Sequence, residues 1–225
     1  MDLTSMRARV RLLTNLESNF ISDSQLNNLI NETCEDFQNY TEILKSEAQA
    51  NVTSGTSTYL FSLFSSLFHK LIRLEHDDVE IFEIDRDALD RVDTDWRDNT
   101  GTPTNFFIDS GNKRFHAFPQ PSASITNGWR LIYVQRPNSL SNDGDISNIT
   151  AEYHMYLCYN VAGEALYRDQ EFAWGDRYLK MYEVKKEQAR REQQYPSYSD
   201  RYVRRAHVIR GRRPALNLGD NFPNV

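Results

Sequence analysis

The sequence predicts an α+β protein: mainly a helical bundle with a small inserted antiparallel β-sheet and an extended C-terminal arm. Three observations predict it. Apolar residues recur at helical spacing over two long stretches, 23–48 and 150–193. Between them, over about 70–136, short aromatic-rich runs alternate and are broken by Gly and Pro. Beyond Tyr195 no period of either kind survives.

The elements follow in order. An amphipathic segment over 4–16 predicts a first, shorter helix. Ser22 and Gln25 stand at capping-box spacing, and Leu26, Leu29, Ile30, Cys34, Phe37, Tyr40 and Leu44 then recur on one face, predicting a helix over 23–48. The run 51–57, rich in Ser and Thr around Gly55, reads as a loop. The stretch 59–74 is open: Leu60, Phe64, Leu67, Leu71 and Leu74 fit a helical stripe, while Leu71-Ile72-Arg73-Leu74-Glu75 can open a strand. Residues 79–84 alternate and predict a strand, and 85–92 one or two helical turns capped by Asp85. The stretch 96–141 reads as a compact antiparallel unit: Trp96, Gly101-Thr102-Pro103, a strand over 106–108, a second closed by Pro119-Gln120-Pro121, a third over 129–133, and an exit through Arg136-Pro137. A polar loop at 142–145 leads to a helix from Thr150 to about 166, with Tyr153, Leu157, Val161 and Leu166 inward. The last helix, 171–193, carries Trp174, Tyr178, Met181 and Tyr182 on one face. The body thus spans 1–195 and the arm 196–225.

Bulk properties narrow the function. The 225 residues carry a net charge of −6 at a pI near 5.4 with a mean hydropathy of −0.67, which argues against general binding to a nucleic-acid backbone. Cys34 and Cys158 are too few for a disulfide framework or a four-cysteine zinc site and are expected to pack as small apolar groups. The N-terminus lacks a basic segment followed by an apolar one, so secretion is not expected, and the Asn31, Asn39, Asn51 and Asn148 sequons carry no weight. The most apolar window, 59–74, is too short and too polar to span a bilayer.

No catalytic pattern emerges, and no cofactor or metal is expected. In the acidic run 85–95 and on to Gly101, the glycine comes too late for a calcium loop and no glutamate closes it. His69, His76, His116, His154 and His207 form no His-x-x-x-His pair. Nucleophile-elbow and phosphate-loop motifs are missing. A catalytic reading requires two or more of Asp98, Asp109, His116 and His154 to meet in one pocket. The arm is the basic part: six arginines against two aspartates give it +4 and leave −10 on the rest. Its apolar residues, from Tyr198 to Phe222, suit a protein partner better than a purely electrostatic role; a nucleic-acid-binding accessory protein is the alternative.

The ordered pieces resemble the head-to-tail adaptor (connector) proteins of tailed bacteriophages. They are the Val-to-Tyr stretch 52–59, a strand pair within 72–84, the acidic turn 85–92, Trp96, Gly101-Thr102-Pro103, the aromatic strand 106–108, the strand ending in Pro119-Gln120-Pro121, the strand leaving through Arg136-Pro137 to Leu140, and the helices of 150–192. The Leu-Pro usual after the tyrosine is replaced here by Leu60-Phe61. The resemblance implies a non-enzymatic virion neck component, made in the host cytoplasm and assembled as a homo-oligomeric ring, a dodecamer, without a membrane. Its implied partners are the portal protein, a tail or nozzle protein, its own copies, and genomic DNA passing through the channel without sequence-specific binding. The residues expected at the portal or neighbouring ring are Arg201, Tyr202, Arg204, Arg205, Ile209, Arg210, Arg212 and Arg213; those expected between subunits are Trp174, Tyr178, Met181 and Tyr182.

Overall fold

Local capping chemistry sets where the second helix begins, and long-range pairing sets where it ends. In the computed structural model, which describes residues 1–16, 20–92 and 95–194, Ser22 Oγ accepts from Gln25 N at 3.3 Å and Gln25 Oε1 accepts from Ser22 N at 2.9 Å. Helix α2 spans Asp23–Thr41, after α1 over Leu3–Thr14. It stops well short of Ala48. Glu42 turns left-handed (φ 51°), its N–H donates to Gln38 O, and Gln38 then clamps the departing chain. The Gln38 amide bonds the backbone N and O of Leu44 at 3.0 and 3.3 Å and donates to Gln135 O at 2.8 Å.

The residues after this clamp form strand β1 (Lys45–Val52). Lys45, Glu47, Ala48 and Ala50 favour helices in isolation, but pairing and face burial override so weak a preference. Ala48 and Ala50 pack toward the sheet core while Lys45, Glu47 and Gln49 face out. Further strands are β2 (Thr58–Leu60), β3 (Phe68–His76), β4 (Val79–Glu83), β6 (Asn105–Asp109), β7 (Arg114–Phe118) and β9 (Ile125–Gln135); the short β5 (Thr100–Gly101) and β8 (Gln120–Pro121) pair with each other. The main sheet runs β1-β9-β3-β4-β6-β7-β2 and is antiparallel except between β4 and β6.

This corrects the predicted fold class. The described residues form a curled mixed sheet of seven strands, a half-barrel, with five helices, and not a helical bundle carrying a small insertion. Two misreadings account for most of the difference. First, 45–52 and 58–60 lie in the sheet, well before the expected start near 70; the stretch left open at 59–74 takes its strand alternative, with Leu71–Glu75 inside β3 and Phe61–Leu63 only a single 3-10 turn. Phe61 stacks on Phe68 at 4.1 Å and lies 5.7 Å from Phe115, drawing this stretch into the sheet core. Second, the expected compact unit at 96–141 is split. β6 and β7 form a hairpin, but β9 leaves them and inserts between β1 and β3.

The remaining predictions lie close to what is seen. Helix α3 covers Arg86–Val92, with Asp85 Oδ1 accepting from Asp87 N at 3.1 Å. A 3-10 turn at Ala151–Tyr153 leads into α4 (His154–Arg168), and α5 spans Phe172–Gln194. Tyr153, Leu157, Val161 and Leu166 are all buried.

Two cores result. The helical one joins Leu3, Met6 and Val10 of α1, Leu26, Ile30 and Phe37 of α2, Leu157 and Val161 of α4, and Tyr182 and Ala189 of α5. Helices α4 and α5 cross where Gly163 meets Gly175: a Cβ on Gly175 would fall 2.6 Å from the Tyr167 ring, and one on Gly163 2.8 Å from Leu179. The sheet core holds Trp129, Leu131 and Tyr133 of β9 against Leu74, Ile81, Phe106 and Phe115, with Phe115 and Trp129 edge to face at 5.3 Å.

Candidate functional site

The arginine-bearing residues expected at a docking interface (Arg201, Tyr202, Arg204, Arg205, Ile209, Arg210, Arg212 and Arg213) lie outside the described residues, as do the rest of the arm and the connection 195–200. The four expected on α5 divide by helical angle. Trp174 and Met181 are 52% and 38% exposed, whereas Tyr182 is 1% exposed. The Tyr182 hydroxyl donates to Asp36 Oδ2 at 2.6 Å, and burial with this carboxylate raises its pKa. Its surface therefore lies inside the subunit, against α2.

Tyr178 is half-buried, donates to Leu13 O at 3.3 Å and stacks on Tyr159 at 5.5 Å. Tyr159 in turn meets Tyr156 at 5.8 Å. Arg177 lies over the Trp174 ring at 5.4 Å, and Lys185 over Tyr156 at 5.4 Å. The result is a half-exposed band of Tyr156, Tyr159, Tyr178, Trp174 and Met181 along α4 and α5. Large amphipathic side chains of this kind, with few rotatable bonds, are enriched where protein surfaces meet. The sequence signalled the α5 half of the band; Tyr156 and Tyr159 joined it because their helix packs beside α5.

A second surface is charged. On the outer face of the sheet, Arg130 reaches Glu47 at 3.1 Å, Glu75 at 3.4 Å and Asp78 at 3.0 Å, and Arg73 reaches Glu75 at 2.6 Å and Glu80 at 3.6 Å. Four carboxylates face two guanidiniums, and Glu75 at the centre is only 5% exposed. The sequence analysis missed this network. Its signal was a lone arginine between the buried Trp129 and Leu131, at an outward position of an alternating strand.

Of the four residues of which a catalytic reading requires two or more, the structure brings two to one cleft. His116 and Asp109 line a hollow of about 320 Å³ with Arg86, Arg97, Arg114 and Trp96. Both are engaged. His116 Nδ1 is 2.9 Å from Thr58 Oγ1 and its ring stacks on Phe107 at 4.6 Å; burial and Arg114 lower its pKa. Asp109 accepts from Asn112 Nδ2 at 2.7 Å and Arg114 Nε at 2.9 Å, which hold its carboxyl below the usual range. His154 lies in the helical core with Nε2 on Ile149 O at 2.7 Å, and Asp98, in the turn Trp96–Asp98, is not part of the cleft lining. This arrangement ties β2 to β7 through Thr58 and His116, and the β6–β7 turn to β7 through Asp109. Among the described residues no group of three His, Cys, Asp or Glu is placed to hold a metal ion, and no helix is long and apolar enough to cross a membrane.

Against curated proteins the chain finds no significant match. Against family models, the SU10 adaptor protein model matches residues 1–208, nearly the whole chain. By that match the chain belongs to the SU10 adaptor protein family, a family of phage head-to-tail adaptors.

Proposed function

We propose that this chain is a structural, non-enzymatic virion protein that forms a ring below the portal, joins capsid to tail and continues the DNA channel. The observation that carries the reading is the family match over residues 1–208, which spans the described body and runs into the basic arm as far as Val208. The aromatic band supports it: Trp174, Met181 and the exposed edge of Tyr178 offer a surface for the next copy, in the heterologous contact from which closed rings are built. The arm, with Arg201, Arg204, Arg205, Arg210, Arg212 and Arg213, supplies forked cations for the carboxylates of the portal or of a neighbouring ring. In this reading the tail or nozzle protein binds the opposite side. The protein resides in the virion neck after assembly in the host cytoplasm, and DNA passes without being read.

The test mixes the purified protein with its cognate portal ring and counts copies by native mass spectrometry, with and without residues 196–225. Saturation at one copy per portal subunit, lost when the arm is removed, is the expected outcome. No complex, together with DNA binding that weakens steeply with salt, overturns the proposal in favour of a nucleic-acid-binding accessory protein.

A further inference from the structure

The sheet ends in two unlike edges. At one, β2 is three residues long; at the other, β1 is eight residues long and contains neither Pro nor Gly. Among the described residues β1 is bordered on one side only, by β9. Leu44 O accepts from Gln135 N at 2.9 Å. Antiparallel alternation then turns the backbone groups of Ser46, Ala48 and Ala50 toward β9, and those of Lys45, Glu47 and Gln49 toward the open side. Long unpaired edges of this kind are templates for another strand, and folded proteins generally cover or blunt them.

Two further observations say what covers this one. The first is where the described chain ends. Lys45 Nζ, on the first residue of β1, donates to Gln193 Oε1 at 3.3 Å, so α5 finishes at the beginning of the open edge. The second is charge. On β1 itself Glu47 faces out beside the cationic Lys45, and behind it, across β9, Glu75, Asp78 and Glu80 outnumber Arg130 and Arg73. After the six residues 195–200 beyond α5 begins the run Arg201-Tyr202-Val203-Arg204-Arg205-Ala206-His207-Val208-Ile209-Arg210, which holds four arginines, no acid, and four β-favouring residues among Tyr, Val and Ile. A six-residue connection is ordinary between a helix and a strand.

We infer that residues 201–210 add to the β1 edge of their own subunit as a further strand, parallel to β1, in the register that sets Val208 beside Gln49, so that Arg204 and Arg210 stand on the outer face with Glu47 while Val203 and Ile209 turn to the core face. Strand addition draws affinity from the backbone bonds and register from the charges. The docked strand covers the one long edge of the half-barrel and holds the arm against the body before any partner is met. This inference does not rest on portal docking, since it concerns the free chain.

Disulfide trapping in the full chain tests it. The native thiols do not interfere: burial pushes Cys34 up to about 11 and Cys158 up to about 12, and both side chains are enclosed. The double variant Gln49→Cys/Val208→Cys, oxidised mildly in dilute solution, is expected to form an intrachain bridge about tenfold faster than the control Leu12→Cys/Val208→Cys, whose partner site is an exposed position on α1. Adding Glu47→Arg to the double variant should slow the bridge toward the control rate. Equal rates in variant and control, bridges only between chains, or indifference to Glu47→Arg each overturn the inference. Portal binding by the unoxidised protein, measured separately, reports on the proposed function alone.

Discussion

Asp36→Leu tests how the last helix is fastened to the second. Lys186 is 8% exposed, and its ammonium lies 2.7 Å from Asp36 Oδ2, which also accepts from Tyr182 at 2.6 Å; the ammonium sits over the Tyr40 and Tyr182 rings at 4.9 and 5.2 Å. Removing one partner of a fully buried pair costs about 3–5 kcal/mol, because a charge is left without compensation. An exposed pair is worth about 0.2–1 kcal/mol. This pair lies between those limits: Asp36 is 52% exposed, and Glu183, 3.5 Å from the ammonium, remains after the substitution. The expected loss is therefore about 2 kcal/mol, or roughly 4–8 °C in Tm for a chain of this size. Urea unfolding followed by circular dichroism measures it, and the cycle with Lys186→Met isolates the pair. The double variant should recover about 1 kcal/mol relative to the sum of the two single changes. A loss for Asp36→Leu below about 0.5 kcal/mol, or strict additivity, would refute the reasoning that this ion pair pins α5 to α2.

Other consequences are as direct. His76 is 5% exposed, its Nε2 has no partner among the described residues, and its ring lies 5.0 Å from Trp129; burial lowers its pKa from 6.5, with Asp77 acting the other way. A depressed histidine pKa means that the unfolded chain binds the proton more readily, so this contribution to stability is complete above pH 6.5 and declines as pH falls toward the folded-state value. His76→Phe should flatten that decline, and an unchanged slope in pH-resolved unfolding would contradict it. Phe37 is wholly buried, 5.0 Å from the Tyr153 ring and 6.3 Å from that of Tyr182, and Phe37→Ala should cost about 3–5 kcal/mol in denaturant unfolding. Trp174→Ala with Met181→Ala should leave the monomer's unfolding midpoint in place while weakening self-association in sedimentation velocity; the reverse pattern would place these side chains in folding and not in assembly.

What could be read from the chain alone was the part decided by near neighbours. Ser22 and Gln25 set the start of α2 because a capping box closes within one turn, and Tyr153, Leu157, Val161 and Leu166 declared the buried face of α4 through a period of 3.6. The exposed aromatic face of α5 was legible for the same reason, although Tyr182, only a residue from Met181, turned out to point into the core. Family membership was legible too, because it rests on the order of short motifs and not on how they pack.

Tertiary structure alone decided the first strand of the sheet and the order of the rest, since the strands over 79–83, 105–109, 114–118 and 125–135 were already legible from alternation. Residues 45–52 resemble a helix until β9 pairs with them, and β9 lies far downstream. The same strand left its sequence neighbours β6 and β7 to pair between β1 and β3, which no local pattern encodes. The ion network around Arg130 exists only once β1, β9, β3 and β4 are side by side. The physical reason is common to all three: a helix satisfies its backbone within four residues, whereas a strand needs a partner, and the partner is chosen by which faces can be buried together.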